Sequence, residues 1–141
     1  MNQNQIEIIK DSLGPLRVLE NEPLVKHTYF KIGGPAKIYF EAKSLDDLRL
    51  ALETALANKI PFVVLGAGAN VLVSDYGFEG LVIKNQAAST NIVGFKGTYG
   101  KHGRGIRNAL VLATSGTLMN QLARFTLDQG LEGLEFLLSV P

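Results

Sequence analysis

Phe62-Val63-Val64-Leu65-Gly66-Ala67-Gly68-Ala69-Asn70-Val71-Leu72-Val73 is the stretch from which the fold of this chain can be read. Four apolar residues in a row predict a short buried strand, and the small residues from Gly66 to Asn70 end it at once. Small side chains let backbone N–H groups approach one point, so a strand opening into such a loop can form an anion-binding nest. A hydrogen bond to a charged group contributes about 1.5–3 kcal/mol, so two or three amides can hold a diphosphate without a lysine. A tight turn with no ligand accounts for the loop equally well at this level. A dinucleotide-binding fingerprint is excluded. It needs a third Gly or Ala and a helix, whereas Val71-Leu72-Val73 reads as a strand running to the turn Asp75-Tyr76-Gly77. The Gly-Lys-Ser/Thr of a Walker loop is absent.

Before the loop, Lys37 to Ala42 reads as a strand centred on Ile38, Tyr39 and Phe40. Ser44 is placed to cap a helix with Asp47 in its first turn, and Leu45, Leu48, Leu52, Ala55 and Leu56 trace its apolar face. Asn58 and Pro61 bracket its end. Strand, helix and strand make a βαβ unit, with parallel strands and a right-handed crossover expected, and Leu81-Val82-Ile83 supplies another strand. Ile6, Ile9 and Leu13 predict a short amphipathic helix over residues 3–13, ended by Gly14-Pro15. An extended arm with little chemistry follows, to about Val25.

After Ile83, residues 91–96 and 109–113 read as a hairpin around a glycine-rich loop. Thr117 is expected to cap a helix running to Gln129, with Leu118, Leu122 and Phe125 inward and Gly130 at the C′ position. The chain stops at Ser139-Val140-Pro141 with no closing element, which reads as a truncation. The fold class is α/β (α+β in detail): an N-terminal helix and arm over 1–22, a βαβ lobe over 23–85 and an incomplete second lobe over 86–141.

The 141 residues carry a net charge of +1, 46% hydrophobic residues, no Cys and two His. This excludes a disulfide framework and a thiolate metal site, argues against a His-based one because His27 and His102 are far apart in sequence, and gives no reason to expect nucleic acid or membrane partners. The polar start has no signal-peptide pattern and no apolar run approaches about 18 residues, so a soluble, cytoplasmic protein is expected. Lys96, Lys101, Arg104 and Arg107 form a basic stretch, and Gly100-Lys101-His102-Gly103 has the form of an RNA-binding Gly-x-x-Gly loop. Such a loop joins two helices, however, and this one joins strand-like segments, so a solvated hairpin tip is the expectation. A non-enzymatic binding module using residues 96–107 is the alternative of a different class. His27 has no carboxylate at helical or strand spacing, which favours a structural or ligand-side role. Asp46-Asp47 reads as a solvated helix start, and Glu132 with Glu135 as a helix-end pair.

Four motifs occur in order: His27-Thr28-Tyr29-Phe30-Lys31-Ile32-Gly33-Gly34-Pro35-Ala36, then Gly66 to Val73, then Gly77-Phe78-Glu79-Gly80-Leu81-Val82-Ile83, then Gly130 to Glu135 leading to Ser139-Val140-Pro141. Over about Pro23 to Pro141 this set resembles the UDP-N-acetylenolpyruvoylglucosamine reductases, within the vanillyl-alcohol-oxidase-like (PCMH-type) FAD domains. The resemblance implies two α/β lobes binding FAD between them, with Gly66, Ala67, Gly68, Ala69, Asn70 and Val71 wrapping its diphosphate. Gly116 is implied in a second phosphate-facing segment, and Ser139, Val140 and Pro141 in a turn beside the flavin ring. It further implies NADPH as hydride donor and an enolpyruvyl UDP-sugar as substrate, in peptidoglycan precursor synthesis. Another FAD oxidoreductase of the same domain family is the alternative among enzymes. The family's proton-donating serine and its acidic partner correspond to sequence beyond position 141, so no catalytic residue is expected here and the chain alone should be inactive. Two departures weigh on the site. Ala69 stands where the family has Ser, and Ala113-Thr114-Ser115-Gly116 stands where it has an Ala-Gly-Ala-Gly-like run. Valine at Gly68 is expected to block the phosphate while sparing the fold.

Overall fold

A computed structural model describes residues 1–97 and 108–139, with the side chain of Ser139 left aside. Contacts divide the chain into two units, Met1–Ala87 and Ala88–Pro141.

The first unit begins with α1 (Gln3–Leu13), closed at its start by a capping box between Asn2 and Gln5. Ile6, Ile9 and Leu13 are buried, as the spacing predicts. The following arm is a strand, β1 (Val18–Pro23), paired antiparallel with β2 (Pro35–Ala42). Next come α2 (Leu45–Ala57), β3 (Phe62–Leu65) and β4 (Phe78–Asn85), and the sheet order is β1-β2-β4-β3. Strands β2 and β3 are parallel, as a βαβ unit requires, but they are not neighbours, because β4 inserts between them and pairs parallel with both. Burial explains the order. Ile38, Tyr39 and Phe40 in β2 and Leu81, Val82 and Ile83 in β4 are buried on both faces, which only central strands satisfy. Val63 and Val64 of β3 stay partly exposed at the edge.

The two faces of the sheet carry different cores. Ile38, Phe40, Leu81 and Ile83 pack with α1 and with Ala51 and Ala55 of α2. Tyr39, Leu65 and Val82 pack on the other side with Leu24, Val71 and Val73. Ser44 caps α2 as expected, accepting from the Asp47 amide at 3.1 Å. Arg17 makes a two-pronged pair with Asp47, Nη1 to Oδ1 at 3.0 Å and Nη2 to Oδ2 at 2.7 Å, and lies over the Phe40 ring at 4.9 Å. Arg17 holds the Asp47 carboxyl below its ordinary value, and His27 does the same for Glu22. Carboxylates depressed in the folded state contribute stability that is present above their unfolded values and lost as pH falls through the folded ones. The melting temperature is therefore expected to hold from neutral pH to about the ordinary glutamate value of 4.5 and to drop below it. Asp47→Asn should shallow that acid limb while costing about 1 kcal/mol or less at neutral pH, since the pair is partly solvated. Thermal melts across a pH series check both points.

The second unit holds β5 (Thr90–Lys96) and β6 (Asn108–Ala113), an antiparallel hairpin as predicted, followed by α3 (Met119–Asp128) and a 3-10 turn over Glu135–Ser139. Thr117 does not cap α3. Its hydroxyl donates to the Ser89 carbonyl at 3.2 Å, and Leu118 takes the cap position, its amide donating to the Gln121 side chain at 3.4 Å. Leu118 is exposed rather than inward, and the buried positions are Ala123 and Thr126. Gly130 does end the helix at C′. Its amide donates to the Leu127 carbonyl and that of Leu131 to Thr126, the two bonds of a Schellman closure. No helix among the described residues is long and apolar enough to cross a membrane.

Candidate phosphate-binding loop

Strand β3 ends at Leu65, and residues 66–77 leave the sheet without forming a strand or helix. The expected strand at Val71-Leu72-Val73 is absent. Val71 and Val73 instead turn inward onto Tyr39, Leu65 and Val82, roofing the second face of the sheet. Their apolar character serves packing, not ladder pairing. A largely apolar cavity of about 240 Å³ remains under this roof, bordered by Leu24, Leu65, Leu72, Phe78 and Val82.

The loop lies on a bed made by the His27–Ala36 motif. The Tyr29 amide donates to the Gly68 carbonyl at 2.9 Å and the Gly34 amide to the Ser74 carbonyl at 2.9 Å. Backbones meet so closely that side chains are excluded. Gly68 has φ +77°, and a Cβ there would stand 2.2 Å from the His27 carbonyl oxygen. Gly77, also at φ +77°, would place one 1.9 Å from the Pro35 carbonyl oxygen. The motif over 27–36 thus touches both those over 66–73 and 77–83.

This changes the roles within the loop. Gly68 is buried and faces the protein, so the expectation that valine there would spare the fold is wrong. Gly66 has nothing within 4 Å of a built Cβ and opens outward. The amides of Ala67, Gly68, Ala69 and Asn70 donate to no protein acceptor among the described residues, and Ala67 and Asn70 are exposed. A turn that closed on itself would use such donors internally. Free donors, small residues and open space at Gly66 suit a phosphate held by main-chain amides. Val71 serves the core beneath. Gly116 sits in the turn between β6 and α3, and Ser139 ends the last 3-10 turn, both in the second unit. Val140, Pro141 and the basic stretch from Lys101 to Arg107 lie outside the described residues. Among those described, no group of His, Asp or Glu could hold a metal.

His27 has the carboxylate partner that spacing did not reveal. Its Nε2 is 3.0 Å from Glu22 Oε1, its Nδ1 is 3.0 Å from the Tyr39 hydroxyl, and its ring stacks on Tyr39 at 4.2 Å. The Tyr39 hydroxyl also donates to Glu41 Oε1 at 3.2 Å. Burial, with Glu41 beside it, pushes the Tyr39 phenol well above its ordinary value, so it stays protonated. Thr28 is buried and donates to the Ile32 carbonyl at 2.8 Å. These groups build the bed of the loop. Glu22 comes from the supposed arm, and the 3-10 turn Leu24–Lys26 folds His27 back onto it.

Residues 36–140 match the family described as FAD binding domain. The chain is 39% identical over 124 residues to the UDP-N-acetylenolpyruvoylglucosamine reductase of Carboxydothermus hydrogenoformans, covering 88% of this chain and 37% of that protein. It is 32% identical over 141 residues to that of Lachnoclostridium phytofermentans, covering 100% of this chain and 43% of that protein. The chain thus spans well under half the length of these curated relatives. Among solved structures, the UDP-N-acetylenolpyruvylglucosamine reductase (MurB) of Thermus caldophilus superposes with a TM-score of 0.52 at 28% identity, over 88% of this chain and 37% of that one. p-Cresol methylhydroxylase gives 0.60 at 13% identity over 93% and 26%, a likeness of fold alone. The mixed α/β fold is that of the PCMH-type flavin domains, and the glycine loop lies within the matched region: the chain belongs to the FAD binding domain family.

Proposed function

We propose that this chain is the FAD-binding part of a cytoplasmic, NADPH-dependent UDP-N-acetylenolpyruvoylglucosamine reductase, an enzyme of peptidoglycan precursor synthesis. The observation that carries the reading is the loop at the end of β3, whose amides from Ala67 to Asn70 have no protein acceptor among the described residues, within a region matched to FAD domains. FAD supplies hydride transfer when bound. In this reading the chain's own residues bind and orient. Gly66, Ala67, Gly68, Ala69 and Asn70 offer main-chain donors to the diphosphate, and Val71 anchors the loop to the sheet. Gly116, Ser139, Val140 and Pro141 are proposed FAD contacts on the strength of the resemblance alone. The substrate, an enolpyruvyl UDP-sugar, and NADPH are carried over from the relatives, of whose length the chain covers 37% and 43%.

The test is titration of the chain with FAD, followed by quenching of flavin fluorescence. Saturable binding is expected, and its absence would refute the reading. Ala69→Ser should tighten binding by about tenfold, because a hydroxyl donating to a phosphate oxygen contributes about 1.5 kcal/mol or more. Ala69 is only half-buried, so the added oxygen has room. A Kd that stays constant or rises would show that Ala69 serves packing.

A further inference from the structure

The glycine loop contains no cation. Between Pro61 and Gly80 the only charged residues are Asp75 and Glu79, both acidic, which is a poor setting for a diphosphate unless positive charge arrives from elsewhere. The sheet supplies it. In the parallel pairing of β3 with β4, Lys84 is the partner of Leu65, the residue directly before Gly66. Strand alternation puts Lys84 on the face of Val82, the same face that Val71 and Val73 cover, while Ile83 points into the opposite core.

We propose that Lys84 provides the charge for the flavin diphosphate that the glycine loop lacks, a binding role that rests on the FAD reading above. Among the described residues Lys84 forms no ion pair. Its cross-strand partner in β2 is Glu41, whose carboxylate already accepts from the Tyr39 hydroxyl. Burial draws the Lys84 ammonium below its ordinary value, with Glu41 only partly opposing. A part-buried cation whose one acidic neighbour is already engaged gains from an arriving anion. Other nearby cations are less suited: Lys26 is taken by Glu22 at 3.3 Å, and Lys31 is exposed on the loop's bed.

The experiment compares FAD with riboflavin, which has no diphosphate, on the 141-residue chain and its Lys84→Met, Lys84→Arg and Lys31→Met variants. Lys84→Met should weaken FAD binding about tenfold, leave riboflavin binding unchanged and flatten the salt dependence. Lys84→Arg should keep most of the affinity, and Lys31→Met should change it less than twofold. Melting temperatures establish that Lys84→Met is folded, and removing a part-buried charge should leave them level or raised. Undiminished FAD binding by folded Lys84→Met, or equal losses of FAD and riboflavin, overturns the role of Lys84 alone. No FAD binding by the parent chain overturns the flavin reading, and this inference with it.

Discussion

Gly66→Val is expected to abolish measurable FAD binding while leaving the melting temperature within a few degrees of the parent, and Gly68→Val to do damage of the opposite kind. At Gly66 a built side chain meets no atom within 4 Å, so valine enters open space beside the loop. The fold does not register it, but a ligand held by the adjacent amides must give up its close approach. Two lost charge-assisted hydrogen bonds, at about 1.5–3 kcal/mol each, amount to at least a hundredfold in affinity. At Gly68 the backbone is left-handed, and a Cβ would stand 2.2 Å from the His27 carbonyl oxygen. A β-branched residue there is strained by about 1–3 kcal/mol before the clash is counted. The first unit should lose a large part of its stability. Circular dichroism melts with FAD titrations on both variants are decisive, and a stable, flavin-free Gly68→Val would return that residue to the ligand side.

The chain is expected to consume NADPH no faster with enolpyruvyl-UDP-N-acetylglucosamine present than without it, even when saturated with FAD. Reduction of a double bond needs the substrate carbon held about 3–3.5 Å from the hydride donor and a positioned acid, the acid alone contributing about 10²–10⁴-fold. Five titratable groups of the first unit are committed elsewhere. Glu22, His27, Tyr39 and Glu41 are bonded to one another under the loop, and Asp47 is held by Arg17. None of these five presents a free acid to a substrate. Absorbance at the NADPH band, with and without substrate, reads the outcome. Substrate-dependent turnover would place the acid within these residues after all.

What the sequence disclosed, and what it withheld, follows from the range of the forces involved. Strands β2 and β3 and helix α2 were legible because short-range signals define them: apolar runs, the Ser44 cap, the stop at Asn58 and Pro61. Strand β1 was not, since Glu20-Asn21-Glu22 has no β pattern and is a strand only by pairing with β2. Val71 and Val73 misled for a related reason, because apolar residues that roof a sheet look like apolar residues within one. Thr117 has the composition of a cap, but Ser89, remote in sequence, takes its hydroxyl. Within the site, the small residues of the loop announced a nest, yet nothing local separates Gly66, which opens outward, from Gly68, which is pressed on His27. Lys84 carried no signal at all. Its relevance comes from the parallel register that seats β4 beside β3.

The amide-to-carbonyl bonds from Tyr29 to Gly68 and from Gly34 to Ser74 have a thermodynamic consequence. Segments about forty residues apart cannot open independently, since releasing one breaks the hydrogen bonds of both. They form one cooperative opening unit, and its free energy sets the rate at which the Tyr29 amide exchanges with solvent deuterium. A ligand gripped only by residues 66–70 shifts that same equilibrium by RT ln(1 + [L]/Kd), so its binding is recorded at Tyr29, a residue it need never touch.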